Sequence, residues 1–340
     1  MAAHSVQAPA AVVMVRPNRF TPNPATVADN GFQSPLGGVS QEQAQAAFRE
    51  VTLVAERLRA EGVRVHLFED PGDETPDSVF PNNWFSTHAG GHVALYPMYS
   101  PSRRRERRGD VIEILKQQYR VQDVIDYSGL EPDGLYLEGT GAMVLDHIAR
   151  VAYTARSNRA DPVALERFCT HFNFEPMVFD TADAQGRPVY HTNVLMCVAT
   201  DFALVGAGML SDGARALQVR QRLEESGRQV IELSNAQVRA FAGNALELSG
   251  SGGRLLAMSQ RGVESLEPSQ MRAIERSCSI VGLQVPTIEL AGGSVRCMLA
   301  GIHLAARAEV LRAAERSPTP PPRASSSTGS PTCAEAMAET

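Results

Sequence analysis

A thiol, an imidazole, a carboxylate and a pair of amides occur in four short segments where each could take part in covalent chemistry or proton transfer. Cys297 ends the stretch Ala291-Gly292-Gly293-Ser294-Val295-Arg296-Cys297, where two glycines allow backbone to approach a ligand closely, and a mostly apolar run from Met298 to Leu304 follows. A thiol attacks as its thiolate, so this use of Cys297 demands a neighbouring base or positive charge. Arg296 is adjacent, but side chains of successive strand residues point to opposite faces. Taken alone, Cys297 reads as a buried structural cysteine, the usual fate of a free thiol. His191, in Val189-Tyr190-His191-Thr192-Asn193-Val194-Leu195-Met196, lies in a polar insertion just before an apolar strand. That place suits a base at a strand end, although a hydrogen-bonded structural histidine is the plainer reading of it alone. Glu138, in Leu135-Tyr136-Leu137-Glu138-Gly139-Thr140-Gly141, stands between an apolar strand and a glycine turn. A half-buried carboxylate there needs a partner: it could orient a histidine, bind a cationic substrate, or simply face solvent in the turn. In Phe80-Pro81-Asn82-Asn83-Trp84-Phe85 two amides stand between aromatic residues, and an Asn-Asn pair by itself most often makes a turn.

These segments need rigid elements to hold them, and the chain alternates short apolar strands with amphipathic helices. After a strand at Val12 to Val15, Ala44, Phe48, Val51, Val54, Ala55 and Leu58 form one apolar face of a helix from about Gln41 to Glu61. Ser40 with Gln43 fits a capping box at its start, Gly62 supplies its end, and a strand from Val63 to Phe68 follows. The pattern recurs with a helix capped by Ser211, Leu217 and Leu223 facing inward, Gly227 at its end and a strand from Gln229 to Leu233. Ser234 and Gln237 suggest another capped helix, and Asn244 to Leu248 with Leu255 to Met258 flank a glycine-rich hairpin loop. The expected class is α/β with antiparallel strand pairs. The run Arg103 to Arg108, interrupted by Glu106, reads as a solvated helix face.

Composition narrows the function classes. With 32 basic and 38 acidic side chains in 340 residues, the protein is mildly acidic and offers no footprint for nucleic acid or an anionic membrane. A small-molecule partner is the better expectation, and assembly into a homo-oligomer is left open. The first residues lack a basic segment followed by a long apolar run, which places the protein in the cytoplasm. Five widely spaced cysteines without a Cys-x-x-Cys pair argue against a disulfide framework and a zinc site. Cys169, Cys197 and Cys278 are expected to be structural and Cys333 an exposed tail thiol. Full dinucleotide, phosphate-loop and His-Glu-x-x-His motifs are missing. Residues 11–312 read as one globular catalytic unit, and the Pro/Ser/Thr/Ala-rich stretch 316–340 as a disordered tail.

Taken together and in order, Phe80-Pro81-Asn82-Asn83-Trp84, Leu137-Glu138-Gly139-Thr140-Gly141, Tyr190-His191-Thr192-Asn193 and Gly292-Gly293-Ser294-Val295-Arg296-Cys297 resemble the citrulline-utilisation hydrolases. These are amidinotransferase-like members of the pentein, guanidine-modifying superfamily, related to arginine deiminase and dimethylarginine dimethylaminohydrolase. The resemblance runs from Val15-Arg16-Pro17 to about Leu304. It implies a pentein-type α/β propeller of five ββαβ-like repeats around a central active site, with no metal or organic cofactor. It also implies roles: Cys297 as nucleophile, His191 as proton shuttle, and Glu138 positioning substrate or imidazole. Ser157-Asn158-Arg159 resembles a family loop whose arginine grips a substrate α-carboxylate, making Arg159 the candidate and Arg156 its rival. Deiminases hold a cationic guanidinium with paired aspartates, where this chain has Asn83 and Asn193.

An amide can donate as well as accept, so Asn83 and Asn193, with Asn82 beside them, suit a neutral ureido oxygen better than a guanidinium. The leading expectation is hydrolysis of citrulline to ornithine, carbon dioxide and ammonia through a Cys297 carbamoyl thioester. A deiminase or amidinotransferase-like enzyme, with Glu138 and Asp77 or Asp180 supplying the anionic contact, is one rival. A non-catalytic amino-acid-binding protein of the same fold is the other.

Overall fold

The strands collect into five sheets of three, each built in the same way. A short first strand pairs antiparallel with a central strand, and the chain then crosses through a helix to a third strand lying parallel to the central one. Met143–Asp146, Val151–Ala155 and Glu175–Phe179 illustrate this, with helix Pro162–Phe172 as the crossover. The central strands of the other four sheets are Ala11–Pro17, His92–Leu95, Phe202–Val205 and Gly253–Ser259. The first sheet is completed from the far end of the chain, because Ala300–Gly301 pairs antiparallel with Ala11–Pro17. No strand pairing joins one sheet to the next among the described residues. The computed structural model describes residues 6–34, 41–72 and 74–308.

Helix Gln41–Ala60 turns Ala47, Val51, Val54, Ala55 and Leu58 onto Val12 and Met14, while Phe48 sits at the edge beneath the Arg16 guanidinium. Ser40 lies outside the described residues, so its capping box with Gln43 does too. The box at Ser234 and Gln237 is present in both directions. In the helix Gly213–Glu225 the expected start and face are both corrected. Asp212, rather than Ser211, accepts from the Ala214 and Arg215 amides, and Leu217 is 55% exposed. Six residues separate Leu217 from Leu223, which puts them on different faces of a helix, whereas Val219 and Leu223, four apart, share the buried one. Cys297 is carried by the single helical turn Val295–Met298 rather than by a strand. Residues Met1–Ala305 cluster as one unit, and of Ala306–Thr340 only the first three are described. The expected boundary near 312, the tail 316–340 and Cys333 therefore lie outside the described residues. Cys169, Cys197 and Cys278 are buried, free thiols.

His88 and His147 are buried and His66 and His303 half-buried, and burial is the main cause that lowers each below its usual 6.5, to about 4 for His66 and His303. All four are neutral in the native state near pH 5.5, where the unfolded chain protonates its imidazoles. The unfolded state then binds more protons, so stability rises with pH through this window and is lost as pH falls from about 6.5 toward 4. Calorimetry should show Tm falling steadily over that range. A Tm indifferent to pH there would show that these rings are solvated.

Candidate active site

Each of the five sheets is entered through a tight turn, and the candidate residues sit in those turns. Pro81–Asn83 precedes Phe85–His88, Glu138 caps Gly139–Ala142 before Met143–Asp146, and His191 caps Thr192–Val194 before Met196–Val198. A turn ending at Asn244 precedes Leu246–Gly250, and Val295–Met298 precedes Ala300–Gly301. Hydrogen bonds stitch neighbouring turns together: Thr140 Oγ1 donates to Asn82 O (3.2 Å), Thr192 Oγ1 to Ala142 O (2.5 Å), Asn244 Nδ2 to Asn193 O (2.8 Å), and the Arg296 amide to Asn244 Oδ1 (3.0 Å). Glycine is required where the turns meet. A Cβ on Gly141 would overlap Asn83 Nδ2 and stand 2.9 Å from the His191 ring.

The turns bring Asn83, His191 and Cys297 to one small cavity, of about 10 Å³, whose wall also includes Arg103, Arg159 and Tyr190. Cys297 is 2% exposed, and its sulfur receives two amide donors at 3.3 Å, Asn193 Nδ2 and Asn244 Nδ2. Amides in this arrangement serve a thiolate acceptor. Asn193 Oδ1 is also 3.6 Å from Sγ, so the same side chain can accept from the thiol.

His191 Nε2 lies 2.8 Å from Glu138 Oε2, which leaves Nδ1 as the ring atom free for proton transfer. Burial lowers the imidazole to about 4 against the opposing pull of Glu138, so it is neutral at neutral pH and Nε2 donates to the carboxylate. Burial alone would raise Glu138. Arg159, His191 and Arg103 outweigh it and hold the carboxyl well below the usual range. Glu138 is fully satisfied: Oε1 accepts from the Tyr99 amide (3.1 Å), and Oε2 also faces Arg103 Nη1 (3.3 Å) and Arg159 Nη1 (3.4 Å).

Arg103 corrects the solvated reading of the Arg103 to Arg108 run. It is 2% exposed, forks onto both oxygens of buried Glu106 at 3.0 and 2.9 Å, and donates from Nη1 to Asn83 Oδ1 at 2.9 Å. Only part of the run behaves as expected, with Arg105 in an exposed pair with Glu74. Arg103 enters the interior because Asp77, Glu106 and Glu138 supply the carboxylates a buried guanidinium needs, and they raise its pKa further although burial opposes this. Arg159 is equally committed, forking onto Asp29 at 3.1 and 2.8 Å. Its rival Arg156 lies elsewhere, in an exposed pair with Asp180. Asn82 is buried behind the cavity wall, and neither polar atom of its side chain has a partner.

Sequence reasoning missed Arg103 and Asn244. For Asn244 a signal existed, since it occupies the same place before its first strand as Asn83 and Asn193 do before theirs. No group of three or more metal-ligating side chains occurs among the described residues, and no helix among them is long and apolar enough to cross a membrane.

Comparison with curated proteins finds no match to the chain. Among solved structures, the N-terminal domain of ArgZ, an arginine dihydrolase from the ornithine-ammonia cycle in Cyanobacteria, was determined bound to product. It matches with a TM-score of 0.69 at 16% identity, over 86% of this chain and 97% of that one. Unliganded AgrE matches with a TM-score of 0.68 at 18% identity, over 88% of this chain but only 40% of its own. A dimethylarginine dimethylaminohydrolase adduct with 4-chloro-2-hydroxymethylpyridine matches with a TM-score of 0.58 at 12% identity, over 86% and 99%. These likenesses establish a pentein-type α/β fold. A family model described as N,N dimethylarginine dimethylhydrolase, eukaryotic, matches residues 16–304, and the chain belongs to that family, whose members are hydrolases of carbon–nitrogen bonds.

Proposed function

We propose that this protein hydrolyses citrulline at its ureido group, within a propeller whose five blades are the three-stranded sheets and whose axis passes between the entry turns. The observation that carries this reading is the state of Asn83. Its Oδ1 is taken by Arg103, a group that can only donate, so the amide orientation is fixed and Nδ2 is left buried without a partner. An orphaned donor at the cavity calls for an acceptor. A ureido oxygen is one, whereas a guanidinium offers N–H groups alone.

The Cys297 thiol passes its proton to His191 Nδ1 and, as the thiolate, adds to the ureido carbon, while the oxygen takes the developing negative charge toward Asn83 Nδ2. The bond to the ornithine nitrogen breaks as His191 supplies its proton, leaving a carbamoyl thioester on sulfur. His191, again neutral, takes a proton from water, which attacks the thioester carbon and frees the thiolate. The carbamate released decomposes to carbon dioxide and ammonia. Glu138 keeps the imidazole oriented throughout, and Asn193 holds the sulfur. Arg159 takes the substrate α-carboxylate by exchanging Asp29 for it. No cofactor enters, and the cytoplasm is the expected place of action.

A guanidino substrate is favoured by the dimethylarginine hydrolase family and the arginine dihydrolase that the chain resembles, and by the Asp77 carboxylate, buried and lining the cavity. Its charge is already shared, by Arg103 at 3.6 Å and by the Asn23 amide at 2.8 Å. The deciding experiment is mass-spectrometric product analysis after incubation with citrulline and with arginine separately, using the wild type and Cys297→Ser. Ornithine and ammonia from citrulline, absent with the variant, support the ureido reading. Citrulline accumulating from arginine would establish a deiminase, and conversion of arginine through to ornithine would make the natural substrate a guanidine.

A further inference from the structure

We propose that the chain has a second site, on the far side of the catalytic turn, where Arg296 and His147 bind a small oxyanion such as bicarbonate or inorganic phosphate. Arg296 and Cys297 are consecutive, but they face different spaces. Cys297 lines the catalytic cavity, while Arg296 lines another, of about 30 Å³, together with His147, His303, Thr87, Thr140 and Cys197. This inference is independent of whether the catalytic substrate is a ureide or a guanidine.

The charge on Arg296 is what calls for a ligand. Three arginines are fully buried, and each has a two-point carboxylate partner: Arg103 on Glu106, Arg159 on Asp29 and Arg228 on Asp146, whereas Arg296 is half-buried. Arg296 has none among the described residues. Its one side-chain hydrogen bond runs from Nη1 to Leu299 O at 2.9 Å, so Nε and Nη2 are left to donate elsewhere. The groups around it do not compensate. The His147 and His303 rings stack with centroids 3.8 Å apart, and His88 lies 5.9 Å from His147. After burial, the influences on His147 are His303, His88, Arg150 and Arg296, every one a cation or a potential one. The titratable groups that influence Arg296 itself are the thiols of Cys297 and Cys197, not carboxylates.

A planar oxyanion or phosphate fits this donor set. It can accept from Nε and Nη2 of Arg296 together and from the one N–H of a neutral His147 ring, which has no hydrogen-bond partner among the described residues. A carboxylate side chain in the same place would be the ordinary structural answer, and the fold does not provide one. His303 Nδ1 is already on Val6 O at 3.1 Å, so His303 frames the site without donating to the anion in its neutral form.

Isothermal titration calorimetry of the full chain with inorganic phosphate and, separately, with bicarbonate tests the proposal, and the preferred anion identifies which of the two the site takes. One saturable site per chain is expected for at least one of them. It should persist when Cys297 carries an iodoacetamide adduct, weaken at least about tenfold in Arg296→Met, and weaken several-fold in His147→Phe, which keeps the ring stack but removes the N–H. Should Arg296→Met fail to fold, judged by circular dichroism, His147→Phe alone decides the matter. No saturable binding of either anion, binding lost on alkylation of Cys297, or binding undiminished in the variants would each overturn the second site.

Discussion

Replacing Cys297 by serine is expected to lower kcat by on the order of 10⁴-fold or more, with substrate binding largely kept. The neutral imidazole of His191 is too weak a base to generate an alkoxide, and the Asp77 carboxylate in the same cavity is already held by Arg103 and Asn23. The sulfur also sits between two amide donors at 3.3 Å, a spacing set for a large atom, so a smaller hydroxyl oxygen would be held less well by both. The substitution removes little volume, so circular dichroism and Tm should scarcely change. Two readouts belong together: ornithine release, which should vanish, and citrulline binding by calorimetry, which should remain. Residual turnover within about tenfold of the wild type would show that the thiol is not the nucleophile, since the loss of a covalent nucleophile costs far more than that.

Arg103→Met should cost about 3–5 kcal/mol of stability, because it strands buried carboxylates rather than removing a balanced pair. Glu106 would lose both of its guanidinium contacts, and Asp77 and Glu138 would lose a neighbouring positive charge. Activity should fall as well, since Asn83 Oδ1 would lose the donor that fixes the amide. Arg103→Lys keeps the charge but cannot fork, and should restore only part of the stability. Arg105, two residues away, supplies the internal control. It is 64% exposed and pairs with an exposed Glu74, so Arg105→Met should change stability by less than about 1 kcal/mol. Urea denaturation midpoints of the three variants separate these cases. Equal midpoints for Arg103→Met and Arg105→Met would mean that Arg103 is solvated after all.

Much of the scaffold was legible because its signals are local. The helix Gln41–Ala60, the capping box at Ser234 and Gln237, and the hairpin Leu246–Gly250 with Gly253–Ser259 each follow from residues within one or two turns of each other. The helix Gly213–Glu225 shows the limit of that reasoning. Two leucines attracted attention, but helical spacing and the Asp212 cap decided which face is buried. The segments around Asn83, Glu138, His191 and Cys297 stood out because polar, reactive side chains interrupt apolar sequence just where a strand begins.

The sequence by itself determined the chemical inventory: a thiol beside paired glycines, a histidine before a strand, a carboxylate before a glycine turn, and amides where deiminases carry aspartates. Only the tertiary structure decided how that inventory is charged and oriented. Arg103 looks solvated within its basic run, and what draws it inside is a set of carboxylates at positions 77, 106 and 138, two of them more than twenty residues away. Asn244 shares with Asn83 and Asn193 a place before a first strand, but its role at the sulfur is set only when the fold brings its amide to 3.3 Å from Cys297 Sγ. Burying a charge or an amide is governed by the partners that remain when water is withdrawn, and those partners are chosen by the packing of five turns far apart in the chain.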